Sequence, residues 1–431
     1  MLRRHLLASS TAISSRSFSK KAARRAAAVA TPAAANSSEF KVTPAAVAAE
    51  AKEVFKMMFG TFTILLGSGL GIGYAVENYK RMHPPTPPGQ LLEITVNGQR
   101  SVVHAQVRGG RQGTSSKGTV LLDGSLGETS FDWDKVIAAL PEDTTVVAID
   151  RPGLAFSTPS PLPRTSETIS KEYQQVLSQL NVTGPLVLVG HGTGGYHMRQ
   201  LAADLAPAGG NVTVAGLVLV DAMHGNELLL LFNSNIFNRL VESVTPALDR
   251  ISPHVHEALA SRRQNAATLL KMSHVGVVRL VHTVQAKRNA ERFSATSLPY
   301  VDYFTPSPPH RRGIVHENEG VDVIESNLTT SPLPRLSVPV VVLSHGNHTM
   351  FMSMKMEPGC NDVVEQMETQ WAAGQAALAE LSATSVHRIL PDAGHDIAHD
   401  KPDVVAKAIL AVLHESRGDA DAGLRSLDDT V

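Results

Sequence analysis

The residues Gly190-His191-Gly192-Thr193-Gly194-Gly195 form the stretch of this chain best suited to hold a reactive group. The apolar run Leu186-Val187-Leu188-Val189 reads as a buried strand before it, and Tyr196 to Ala203 continue with helix-forming residues. A strand that turns sharply on glycines into a helix lifts the central residue of the turn to the edge of a sheet. Covalent catalysis needs Ser, Cys or Asp at that centre, because only an oxygen or sulfur can attack. The centre here is Gly192, so the turn is present without a nucleophile. Thr193 is one residue off, and that shift points its side chain elsewhere. Cys360, the single cysteine, has no motif around it and reads as a gap-filling residue. A lone cysteine also excludes an internal disulfide framework and a Cys-based zinc site.

The elements that must carry this turn follow from apolar runs. Leu91 to Val96 and Ser101 to Val107 are joined by Asn97-Gly98, which predicts a hairpin. Further strands are expected at Thr119–Leu122, Thr145–Ile149, Leu186–Val189, Leu217–Val220, Val340–Leu343 and Val386–Leu390, with helical stretches between them. Two antiparallel strands followed by repeated strand-helix units imply an α/β class: a mostly parallel sheet with helices on both faces. Residues 224–339 interrupt the pattern. Their helical periodicity (Leu228 to Leu248, Leu269 to Ala286) predicts a cap over the strand ends.

Five motifs in this order resemble the α/β-hydrolase superfamily, in its esterase-like branch with a helical cap, over about Leu91 to His414. They are Leu121-Leu122-Asp123-Gly124-Ser125-Leu126-Gly127 before Asp132-Trp133, then Ala148-Ile149-Asp150-Arg151-Pro152-Gly153, the glycine turn, Val218-Leu219-Val220-Asp221-Ala222, and Ala393-Gly394-His395-Asp396-Ile397 through Asp400-Lys401-Pro402. The resemblance makes His395 the triad histidine, which moves the nucleophile's proton to the leaving group. Val340–Leu343 leads into Ser344-His345-Gly346-Asn347-His348 without a carboxylate, so the acid is expected at Asp221, after the preceding strand. A helix-capping carboxylate is the structural alternative for Asp221. Oxyanion N–H groups are implied at Thr193 and Ser125. Where relatives commonly carry His-Gly in that loop, this chain has Asp123-Gly124, and a carboxylate facing the site would repel an oxyanion. His395 and His399, four apart beside Asp396 and Asp400, also suit a metal. The family pattern already accounts for them, so no metal and no cofactor is expected.

Lys and Arg (39) nearly balance Asp and Glu (40), which gives no global attraction to nucleic acid. Residues 1–38 carry seven arginines and lysines, many Ser and Ala, and no acid. That is the composition of a mitochondrial targeting segment. A spacer is expected at 39–56. Met57 to Val76 is uncharged and long enough to cross a hydrocarbon core of ~30 Å. Gly67, Gly69, Gly71 and Gly73 give overlapping G-x-x-x-G pairs through which a second copy could pack. His83 to Gly89 reads as a stiff linker, residues 90–415 as the globular domain, and 416–431 as a disordered tail. A targeting segment and one span imply the mitochondrial inner membrane, with the domain in the intermembrane space. A signal anchor into the endoplasmic reticulum is the alternative, and the sequons at Asn181, Asn211, Asn327 and Asn347 bear on it. Two functions stay open. One is a binding or scaffold protein for an apolar or lipid-like ligand; the other is an ester hydrolase using His395 with water or an unusual nucleophile.

Overall fold

Valine-, leucine- and isoleucine-rich runs become strands wherever helices cover both faces, because such runs bury apolar side chains on either side. A computed structural model describes residues 43–109, 118–206, 210–225, 263–330, 332–348, 361–419 and 421–427. The strands are β1 (Gln90–Val96), β2 (Gln99–Arg108), β3 (Thr119–Asp123), β4 (Thr145–Ile149), β5 (Gly184–His191), β6 (Val212–Val220), β7 (Val340–His345) and β8 (Ser385–Leu390). They form one sheet in the order β1-β2-β4-β3-β5-β6-β7-β8. Pairing is antiparallel from β1 through β2 to β4 and parallel across the rest. Every expected strand is therefore present. The Asn97-Gly98 hairpin has both residues at positive φ, as its turn type requires.

Alternate residues of one strand feed opposite cores. Val187 and Val189 join Val120, Val218, Val341 and the helix Pro402–Glu415. Leu186 and Leu188 join Leu121, Leu217, Val340 and residues of the helices Ser166–Gln179 and Gly194–Leu205. This period of two fixes register, since a slip of one residue would exchange the two cores.

The chain divides into two units, Met1–Leu65 and Leu66–Val431. The apolar segment expected at 57–76 lies inside a longer helix, Pro44–Met82, so most of the expected spacer is helical. One stretch of it, Val47–Met82, is long and apolar enough to cross a membrane. Within the second unit this helix is part of the domain rather than separated from it by the proline linker. A Cβ on Gly73 would lie 2.0 Å from the carbonyl oxygen of Val275, and Gly276 packs against the Gly73 backbone. One turn on, the buried Glu77 carboxylate pairs with Arg279, which also donates to the carbonyls of Asp302 (2.8 Å) and Tyr303 (3.2 Å). Glu77, the first charged residue after the uncharged segment, is a buried tie. Gly67, Gly69 and Gly71 meet nothing within 4 Å.

The described part of the cap, from residue 263, is helical: 263–274, Val277–Val284, Ala286–Arg292, Leu298–Phe304 and Pro308–Thr330. The targeting segment, Leu228 to Leu248 and Cys360 lie outside the described residues. Of the tail expected to be disordered from 416, residues 416–419 and 421–427 are ordered. Leu424 and Leu427 sit on one side of a short 3-10 turn and are buried in the core. Arg388 donates to the Leu427 carbonyl at 2.7 Å. A polar composition hid two leucines at a spacing that puts them on one face.

Candidate functional site

The glycine turn forms as expected between β5 and the helix Gly194–Leu205. Gly192 stands at φ +52°, and its carbonyl accepts from the Met223 amide at 2.9 Å. Asp221 follows β6 directly, also at positive φ (+40°), a conformation aspartate tolerates better than most residues. His395 comes from the loop after β8. Its Nδ1 lies 2.6 Å from Asp221 Oδ2. The sheet thus brings the expected acid and base together over 174 residues of sequence.

Asp221 serves more than one histidine. His345, the last residue of β7, places Nδ1 2.6 Å from the same Oδ2, and its Nε2 lies 2.9 Å from Glu368 Oε2. The other oxygen, Oδ1, accepts from Trp371 Nε1 (2.9 Å) and the His345 amide (3.2 Å). Burial alone would raise the Asp221 carboxyl, but the bonds from His345 and His395 outweigh it and hold it well below the usual carboxylate range. Burial would likewise lower His345; its bonds to Asp221 and Glu368 instead raise it to about 9. Ser344-His345-Gly346-Asn347-His348, at the end of β7, contains no carboxylate. A histidine stands there instead and shares the acid of the neighbouring strand.

The space over Gly192 is filled. A Cβ built there would lie 2.1 Å from Ser125 Oγ and 2.6 Å from Ser125 Cβ. The Ser125 amide, expected as an oxyanion donor, is taken as well: it donates to Glu128 Oε2 at 2.7 Å. The same carboxylate oxygen lies 2.7 Å from His191 Nδ1, and His191 Nε2 lies 3.0 Å from the carbonyl of His395. Burial would lower His191, but Glu128 outweighs it and raises it to about 9. Thr193, the other expected oxyanion residue, is buried at the start of the helix after the turn.

Asp123 does not face the site. It is fully buried and pairs with Arg151 and, at 2.7 Å, with His197 Nδ1. Burial raises its carboxyl, and the Arg151 guanidinium with the His197 hydrogen bond more than reverses this, to about 2. Arg151 also donates to the carbonyls of Gly124 (2.8 Å) and Ser125 (2.7 Å) and to Glu317 of the cap (2.6 Å). It therefore pins the loop that carries Ser125 and Glu128. A second cap residue, Arg292, lies 2.7 Å from Asp396, 3.5 Å from Asp132 and 3.6 Å from Glu128. The four residues weighed for a metal after β8 are dispersed in their bonding. Asp400 accepts from the Gly394 amide, and His399 Nδ1 meets the Arg292 carbonyl.

His345, Glu368, Trp371, Glu128 and Arg292 were not singled out from the sequence. Of these, Glu128 left a trace, three residues after Ser125 in the expected oxyanion loop.

A profile of the alpha/beta hydrolase family matches residues 120–408. An uncharacterized protein of Schizosaccharomyces pombe is 31% identical over 159 residues, a match covering 31% of this chain and 28% of that protein. The chain therefore spans little more than a quarter of that relative's length. Among solved structures, a probable hydrolytic enzyme from Pseudomonas aeruginosa is similar at TM-score 0.53 and 17% identity, covering 77% of this chain and 95% of that one. A thermophilic esterase from Thermogutta terrifontis is similar at TM-score 0.49 and 20% identity, covering 76% and 99%. Strand order, motif order and the matching profile agree: the chain belongs to the alpha/beta hydrolase family.

Proposed function

We propose that this protein is a membrane-anchored member of the family that has given up serine-type hydrolysis and works as a binding or scaffold protein. One observation carries the reading: Glu128 holds the Ser125 amide while the Ser125 side chain covers Gly192. Loss of a triad nucleophile alone costs on the order of a millionfold in rate. A carboxylate on an oxyanion donor removes part of what would remain, because the hole must receive negative charge. The ligand class that suits a capped fold beside an apolar helix is an apolar or lipid-like molecule.

A second reading has one observation in its favour. Ser125 Oγ lies close to where a nucleophile on residue 192 would stand, so a serine from another loop could attack with His395 as base. Labelling of the full-length protein with a fluorophosphonate probe separates the two. No labelling and no turnover of p-nitrophenyl esters is expected. Labelling mapped to Ser125 and abolished by His395→Ala would establish the hydrolase instead.

The basic, acid-free first 38 residues and the candidate span at Val47–Met82 support the mitochondrial inner membrane, with the domain in the intermembrane space. A mobility shift on deglycosylation would place it in the endoplasmic reticulum. Any pairing of two copies through the span uses Gly67 and Gly71, whose surroundings are open, because Gly73 packs within the chain. Disulfide cross-linking of cysteines introduced beside Gly67, compared with beside Gly73, tests this. Cross-linking confined to the Gly73 face would reject it.

A further inference from the structure

We propose that Asp221, His345 and His395 form a binding site for a divalent transition metal. The ligand atoms, one from each residue, lie within 4.8 Å of one another. Two imidazole nitrogens and one carboxylate oxygen suit zinc and its borderline neighbours such as cobalt.

Three features point to a metal rather than to a plain hydrogen-bonded cluster. The first is the surroundings of the ligands. A metal-bound imidazole characteristically gives its other N–H to a carboxylate, which fixes the ring and raises its donor strength. His345 does this with Glu368 at 2.9 Å. Asp221 Oδ1 is held by Trp371 and the His345 amide, leaving Oδ2 as the oxygen that faces both rings.

The second is charge. Asp221 and Glu368 are buried carboxylates, and among the described residues their ion-pair partners are histidines, with no lysine or arginine. A dication bound by neutral imidazoles takes over the positive charge that the His345 proton supplies to these two carboxylates. Glu368 Oε1 is buried without a hydrogen-bond partner among the described residues. The neighbouring group Glu128, His191 and Asp396 has comparable spacing. There, however, Arg292 already supplies positive charge to Asp396 and Glu128.

The third is room to adjust. Tetrahedral ligands at metal distances of about 2.0–2.1 Å stand roughly 3.3 Å apart. The two contacts of 2.6 Å must therefore open by under about 1 Å. His395 sits on a loop and its side chain is 23% exposed, so it can move and admits the ion. On coordination His395 takes the Nε2–H tautomer, and a protonated His345 gives its Nδ1 proton to solvent. The assignment is independent of whether hydrolysis is lost, since it is read from binding.

The test uses full-length protein in detergent micelles, stripped with a chelator and titrated with zinc or cobalt chloride. Expected are saturable binding of one ion per chain, a melting temperature that rises with the logarithm of metal concentration, and the visible absorption of protein-bound cobalt. His345→Asn and His395→Ala each lower the affinity at least tenfold. Glu368→Gln lowers it about 10–100-fold, while His282→Asn in the cap leaves it unchanged. Melting in chelator identifies any variant that fails to fold, and His395→Ala, on a partly exposed loop, decides if His345→Asn does. Absence of saturable binding, or an affinity unchanged in the folded His395→Ala variant, overturns the proposal.

Discussion

Gly192 and Ser125 are complementary: the first has no side chain and the second occupies the space one would need. Restoring serine at 192 therefore does not restore the site. A Cβ there meets both Oγ and Cβ of Ser125, and Arg151 holds the Ser125 backbone from shifting. We expect Gly192→Ser to lower stability by about 1–3 kcal/mol, the range for overpacking, and to remain unlabelled by a fluorophosphonate. The triple variant Gly192→Ser, Ser125→Gly, Glu128→Ala clears both obstructions and should label. Labelling of the single variant would show that the loop yields easily. A second residue-scale prediction concerns His191. Its folded pKa of about 9 exceeds the ordinary value near 6.5. Its contribution is thus complete below about pH 6.5 and is lost as pH rises through about 9. Urea melts should show stability falling over that window by on the order of 1–3 kcal/mol. His191→Gln should flatten the slope, and an unchanged slope would assign it to another group.

At the scale of elements, the helix Pro44–Met82 and the cap are joined by a glycine contact and one buried ion pair. Removing Arg279 leaves the Glu77 carboxylate buried without its partner, which costs about 3–5 kcal/mol. Replacing both by apolar residues is far milder, because the pair's own desolvation cost disappears with it. Thermal melts of Arg279→Ala, Glu77→Leu and Glu77→Leu with Arg279→Met should show this strong non-additivity. Additive losses would mean the two residues act separately. The sequence hid this joint for a physical reason. Glu77 after twenty uncharged residues reads as the edge of a membrane span, and its partner lies 202 positions away. Strands were legible for the opposite reason, since a run such as Leu186 to Val189 carries its burial in its own composition. Asp221 could be placed from its own strand end. His345 could not, because its role depends on Asp221 projecting from the neighbouring strand. Glu128 acts through a loop that folds back on itself, and no periodicity records that.

At the scale of the whole molecule, the larger of the two compact units begins at Leu66, ahead of the proline segment. A chain truncated to start at residue 84 uncovers Gly276 and leaves Arg279 without Glu77. It should melt roughly 5–10 °C below one that starts at residue 66 and keeps the joint. Equal melting temperatures would show that the helix contributes nothing to the domain. The mostly parallel sheet with helices on both faces was readable because it follows from the alternation of apolar runs and helical stretches; the placing of β4 between β2 and β3 does not follow from that alternation. The attachment of the cap was not readable either, because it rests on Gly73 meeting Gly276 and on single charged residues far apart in sequence.

The Glu128 carboxylate also changes how ligand affinity must be understood. It acts as a resident competitor, tethered a few bonds from the amide it occupies. A short tether corresponds to an effective concentration in about the millimolar range. An incoming acid or ester carbonyl must outcompete it, and its apparent affinity falls by the fraction of molecules in which Glu128 has swung away. Selectivity at this amide is therefore set by how well a molecule displaces a carboxylate already in place, as well as by how well it fits.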